Sequence, residues 1–190
     1  MFGSMFDETR ANDKDYVLKA VSRNVFALQY ASPELKNDRD VVLAAVSNNG
    51  YALRYASDEL RNDKDVALAA VNQNPGALEY ASPELQNNKD IVLKAVDQNG
   101  YTLYYASPEL RNDKDVVLKA ISQVGDALEY ASDGLKNNKA VVLKAVYQCG
   151  CALKYASPEL QDDEDVRAAT DLYFKDPDDI GDNDPGDICD

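Results

Sequence analysis

The chain has 190 residues, 45% of them hydrophobic, which is long enough and apolar enough for a continuous core. No stretch approaches the roughly 20 uninterrupted apolar residues of a membrane helix, and the N-terminus lacks the basic start and apolar run of a signal peptide. A soluble, intracellular and cytoplasmic protein is therefore expected. The net charge of −14 divides into −4 for residues 1–161 and −10 for residues 162–190, so the C-terminal segment is the acidic part and binding to nucleic-acid phosphates is disfavoured.

Residues 1–11 read as an N-terminal cap: Asp7 to Ala11 mirrors the Ser-Pro-Glu-Leu-x segment that recurs later, with Met5 and Phe6 at the Tyr-Ala positions. Residues 12–161 repeat themselves. Ala-Val or Ala-Ile stands at 20, 45, 70, 95, 120 and 145, and Tyr-Ala-Ser at 30, 55, 80, 105, 130 and 155, a period of 25 without one insertion. Such a fixed period marks a stack of supersecondary units, none of which buries its apolar face alone. About seven large apolar side chains per unit give roughly 10–20 kcal/mol gross on burial, against about 25–50 kcal/mol for ordering the backbone. A single unit is thus expected to be unfolded in isolation.

In the unit that begins at Asn37, Asn37-Asp38-Arg39-Asp40 predicts a helix start, with Asn37 as cap and Asp40 reaching back three residues on. Val42, Leu43, Ala45 and Val46 place apolar groups at helical spacing, and Gly50 is expected to be a left-handed stop. Tyr51 to Ala56 predicts a second, shorter helical piece, and Ser57 restarts a single turn that reads Ser-Pro-Glu-Leu in most other units, serine capping and proline at the first helical position. Twenty-five residues are too few for two full helices, so an α-helix alternating with a shorter α or 3₁₀ piece is expected. Residues 162–175 begin a seventh unit with Asp162-Asp163-Glu164-Asp165-Val166, then diverge as a C-terminal capping helix. Residues 176–190 are rich in Asp, Pro and Gly and are expected to be an acidic disordered tail. The fold class is all-α, a short-repeat α-solenoid of six full units plus caps.

The repeated D-x-x-V-V-L-x-A-V followed by A-L-x-Y-A-S-P-E-L over residues 12–161 resembles a family of tandem short helical repeats catalogued only as a domain of unknown function, found in protists, large DNA viruses and some intracellular bacteria. The resemblance implies a fold and no activity. The unit is also similar to the leucine-rich repeat variant, whose short units alternate α and 3₁₀ helices, but that family's iron–sulfur cysteines have no N-terminal counterpart.

Candidate chemistry is sparse. The chain has no histidine, no Gly-rich phosphate loop and no Cys-His pair, so an enzyme is not expected and no cofactor is implied. The many carboxylates recur at one capping position, which reads as structure. Cys149, Cys151 and Cys189 are odd in number, and a bond between Cys149 and Cys151 would be strained, which fits a reducing compartment. Two thiols make a poor zinc site. Asp176 to Asp187 spaces oxygen ligands like a calcium loop, but Ile180 occupies a ligand position and no helix can follow. Tyr30, Tyr55, Tyr80, Tyr105, Tyr130 and Tyr155 stand in every unit and are expected to be core, each ring buried and its hydroxyl offered to a neighbouring unit.

Positions that change from unit to unit are more informative, because packing does not dictate them. One ladder runs Phe26, Tyr51, Gly76, Tyr101, Asp126, Cys151 and the other Gln29, Arg54, Glu79, Tyr104, Glu129, Lys154. Together they suggest a partner-binding patch of Phe26, Tyr51, Tyr101 and Tyr104 beside Arg54, aromatic and arginine groups being the usual components of binding hot spots. The function expected is a non-catalytic scaffold or adaptor that binds another protein, not nucleic acid or membrane. The alternatives are a structural subunit of a larger assembly, or an acidic mimic or cation-binding protein acting through the tail.

Overall fold

The computed structural model describes residues 6–24 and 26–174, and the chain divides into two compact units, residues 1–95 and 96–190. The described residues are helical, with no strand among them, and the protein is a short-repeat α-solenoid. Each repeat supplies three pieces: a long helix such as Arg39–Asn48, a 3₁₀ segment such as Gly50–Tyr55, and a single-turn helix such as Asp58–Arg61. No described helix is long and apolar enough to cross a membrane.

The helix starts show where local chemistry acts. Asp38, not Asn37, caps the helix Arg39–Asn48: its Oδ1 accepts the N–H groups of Asp40 and Val41, and Asp63 does the same for Asp65 and Val66. Asn37 lies outside that helix, and its Oδ1 accepts the Ser57 hydroxyl. Ser57 in turn accepts the Leu60 N–H as cap of the short helix, and its own N–H donates to the Lys36 carbonyl at 2.9 Å. An asparagine–serine clasp therefore closes the unit on itself, and it recurs at Asn12–Ser32, Asn62–Ser82, Asn112–Ser132 and Asn137–Ser157. An Asp at one end of the long helix and a Ser at the start of the short one fit because both side chains satisfy N–H groups that helix starts leave open.

Gly50 is a second departure from the sequence expectation. No described glycine has a positive φ. The helix is stopped instead by Asn49, which is extended at φ −155° and whose Oδ1 accepts the Tyr51 N–H. Glycine is required at 50 because a Cβ there would stand 2.1 Å from the Ala70 carbonyl oxygen of the next repeat, and the Gly50 N–H donates to Asn74 Oδ1 at 2.8 Å.

In the first unit the long helices Lys14–Arg23, Arg39–Asn48 and Lys64–Gln73 pack side by side, and the 3₁₀ segments Ala27–Tyr30, Gly50–Tyr55 and Pro75–Tyr80 form a parallel row. In the second, Lys114–Gln123, Lys139–Gln148 and Glu164–Phe174 do the same, beside the row Gly100–Tyr105, Gly125–Tyr130 and Gly150–Tyr155. The core lies between these layers. Val41, Val42, Ala45 and Val46 of one long helix and Ala52 and Leu53 of the following 3₁₀ segment are all buried, and the same positions recur along the chain. On the outer edge, ion pairs step from repeat to repeat: Lys14 to Asp38 and Asp40, Arg39 to Asp63 and Asp65, Lys64 to Asp90, and Lys139 to Asp163 and Asp165.

The end helices bury one side only. Lys14–Arg23 buries Val17 and Val21, while Tyr16 meets Phe6 with ring centroids 5.3 Å apart and its hydroxyl accepts the Asp7 N–H. Glu164–Phe174 buries Val166 and Ala169 but exposes Arg167 and Asp171, which fall where the repeat at 42 and 46 has buried valines.

Candidate binding face

The 3₁₀ segment decides what reaches the surface. With about three residues per turn, the segment Gly50–Tyr55 buries Gly50, Ala52 and Leu53, leaves Tyr51 and Arg54 exposed, and half-buries Tyr55. All five residues singled out as partner-binding stand at the surface: Phe26 is 55% exposed, Tyr51 44%, Tyr101 46% and Tyr104 59%, and Arg54 is exposed as well. Phe26, Tyr51 and Arg54 meet in the first unit; Tyr101 and Tyr104 belong to the second.

The tyrosines present in every repeat are not core, as the sequence suggested. Tyr55, Tyr80, Tyr105, Tyr130 and Tyr155 are half-buried, and Tyr30 is 43% exposed. The reason is positional. The core places between the layers go to Ala52 and Leu53 and their equivalents, so the tyrosine that ends each segment is left partly exposed, and Tyr55, Tyr80, Tyr105, Tyr130 and Tyr155 form a floor under ladder residues. In the first unit the Arg54 guanidinium carbon lies 5.2 Å from the Tyr55 ring centroid and 5.5 Å from that of Tyr80. In the second, Tyr104 occupies the equivalent slot, 5.2 Å from Tyr105 and 5.4 Å from Tyr130, both edge-on. Lys154 lies over Tyr155 at 5.1 Å. One slot, floored by tyrosine, thus carries an arginine, a phenol or an ammonium.

In the first unit this produces a cavity of about 260 Å³ walled by Phe26, Asn49, Tyr51, Arg54, Tyr55 and Tyr80. Tyr51 leans on Tyr80 edge-on at 6.3 Å, and it fits because residue 76 is glycine: a Cβ there would meet the Tyr51 hydroxyl at 2.8 Å. Burial, then the neighbouring Glu79 carboxylate, pushes the Tyr80 phenol above its ordinary value. In the second unit a wider hollow of about 540 Å³ lies beside Tyr104, Arg111, Glu129, Tyr130 and Lys136, and burial, then Glu129, raises Tyr130 likewise. Sequence reasoning placed Gly76 in the ladder but missed Tyr55 and Tyr80 as parts of the face. Gly76 was the available signal, a gap in a column whose neighbours are aromatic.

Cys149 is a free thiol, so no bond joins it to Cys151; Cys151 is buried and disulfide-bonded, which departs from the reduced state expected from the sequence. Among the described residues no three Cys, Asp or Glu side chains gather as metal ligands. The calcium-loop spacing of residues 176–187 lies outside the described residues.

The fold and the face together define a tandem-repeat helical protein whose recurrent residues build the stack and whose changing residues, the buried Cys151 apart, stand at or near the surface of the 3₁₀ segments in each unit. The family described as Domain of unknown function (DUF4116) matches residues 13–61, 63–111 and 113–161, and the chain belongs to it. Each match spans two of the 25-residue repeats, and the ladder shows the same doubling: Arg54, Tyr104 and Lys154 alternate with Gln29, Glu79 and Glu129. No curated protein and no solved structure matches the chain.

Proposed function

We propose that this protein is a non-catalytic scaffold or adaptor that holds another protein against the exposed side of its 3₁₀ segments. The observation that carries the reading is the ordering of exposed aromatic and cationic groups on a tyrosine floor: Arg54 and Tyr104 each rest between two rings. Side chains already held in place lose little freedom on binding, and such groups supply most of the energy of protein interfaces. The chain has no histidine, and its recurrent helix-start aspartates are engaged in caps and ion pairs, which supports a non-catalytic role. Residues 162–174 act as the closing cap of residues 12–161, a role supported by Arg167 and Asp171 standing where earlier repeats place buried valines.

Affinity capture from native extract tests this with the full chain, a chain ending at Phe174, and a Tyr51→Ala, Tyr101→Ala, Tyr104→Ala variant shown by circular dichroism to be folded. A specific partner kept by the shortened chain and lost from the triple variant is the expected result. Capture that depends only on residues 175–190 would overturn it.

A further inference from the structure

We infer that the cleft at Arg54 receives the carboxylate of an Asp or Glu side chain that stands next to an aromatic or aliphatic residue on an extended peptide of the partner. The inference rests on the scaffold reading and names what one part of that face recognises. Arg54, on its 3₁₀ segment, differs from the cations of the ion-pair edge on the long helices. Lys14, Arg39 and Lys64 each hold an aspartate, whereas Arg54 has neither an ion pair nor a hydrogen bond among the described residues. Its contacts are to ring faces, 5.2 Å to Tyr55 and 5.5 Å to Tyr80, and stacking of that kind leaves the N–H edges of the guanidinium open. A planar fork of N–H donors matches a carboxylate in a two-point geometry that a lysine cannot reproduce.

The surroundings favour an anion carried on an apolar neighbour. The cavity of about 260 Å³ has room for a side chain, and apart from Arg54 and Asn49 its walls are apolar or aromatic, four rings and Ala52. Asn49 has its Oδ1 engaged by the Tyr51 N–H, which leaves its amide N–H₂ as a second donor. The nearest acid on the ladder, Glu79, does not pair with Arg54; it stands by the Tyr80 hydroxyl and adds to the upward shift of that phenol. The corresponding slots of the second unit hold Tyr104, which has no charge to offer, and Lys154, a point charge over Tyr155, so the two-point fork belongs to Arg54.

The test uses full-length protein and two peptides, acetyl-Ser-Glu-Phe-Ser-amide and its Gln counterpart, with the Arg54 Nε–H signal followed by NMR. The Glu peptide is expected to move that signal saturably and to bind about tenfold more tightly than the Gln peptide, the difference a charged hydrogen-bonded pair makes. R54Q, checked for fold by circular dichroism, is expected to bring both peptides to the weaker value. Equal affinities, a Glu preference that survives R54Q, binding of neither peptide, or displacement of the Glu peptide by an equal concentration of inorganic phosphate each overturn the inference. If the triple tyrosine variant loses a captured partner while the peptides show no preference, the acidic-peptide inference falls and the scaffold reading stands; if capture fails as well, both fall.

Discussion

Gly50 and Gly134 carry opposite consequences for one substitution. At 50 an added Cβ meets the Ala70 carbonyl oxygen at 2.1 Å, a backbone atom that cannot step aside. Gly50→Ala is expected to cost about 1–3 kcal/mol, the range for overpacking a close contact, read from urea unfolding. At 134 the nearest atoms are 3.9 Å away, and the glycine sits inside the short helix Asp133–Lys136. Gly134→Ala is expected to add about 0.5–1 kcal/mol by removing a flexible helix residue; a loss of stability would contradict that account. The sequence displayed both glycines but not their difference, because the contact at 50 is made with a residue 20 positions further on. The capping residue was misread by one position for a similar reason: Asn37 and Asp38 are both good caps, and only the clasp with Ser57 engages the first and leaves the second to the helix.

The elements themselves were legible, since period, caps and apolar spacing recur six times in the same register. What the pattern hid was depth. A tyrosine in every repeat has the appearance of core, yet in a segment such as Gly50–Tyr55 the buried places go to Gly50, Ala52 and Leu53. Two changes test the element scheme. Ser57→Ala removes the cap at Leu60 and the clasp to Asn37, and is expected to cost about 1–2 kcal/mol. The ion-pair edge has one gap: Lys114 has no pair among the described residues, and the place where Asp40, Asp65 and Asp90 stand in other repeats is Ala140. Ala140→Asp is expected to raise stability by about 0.2–1 kcal/mol at low salt and to lose that gain in high salt, as thermal melts at two ionic strengths would show.

For the molecule as a whole, the cap and pair network sets the response to pH. Asp38, held by the Lys14 ammonium, and Asp63, held first by the Val66 N–H, titrate below the ordinary carboxylate range. A folded value below the unfolded one, near 3.9, gives stability that is present above about pH 4 and lost on further acidification. Lys14 and Lys139 are raised, first by their bonds to Asp38 and Asp163, and Tyr80 and Tyr130 are raised, first by burial. These contributions are present below about pH 10 and lost above it. With no histidine in the chain, thermal stability is expected to be level from about pH 5 to 9 and to fall at both ends; a step near neutrality would contradict this.

The division of labour between recurrent and changing residues is the central claim, and Tyr51 and Leu53 test it two residues apart on one 3₁₀ segment. Urea unfolding of Leu53→Ala beside Tyr51→Ala measures it most directly. Leu53 is fully buried and its loss is expected to cost about 2–5 kcal/mol, whereas Tyr51, 44% exposed, is expected to cost no more than about 1.5 kcal/mol for its edge-on contact with Tyr80. Equal losses from the two variants would mean that the ladder is committed to the fold, and the face proposed to meet a partner would not be free to do so.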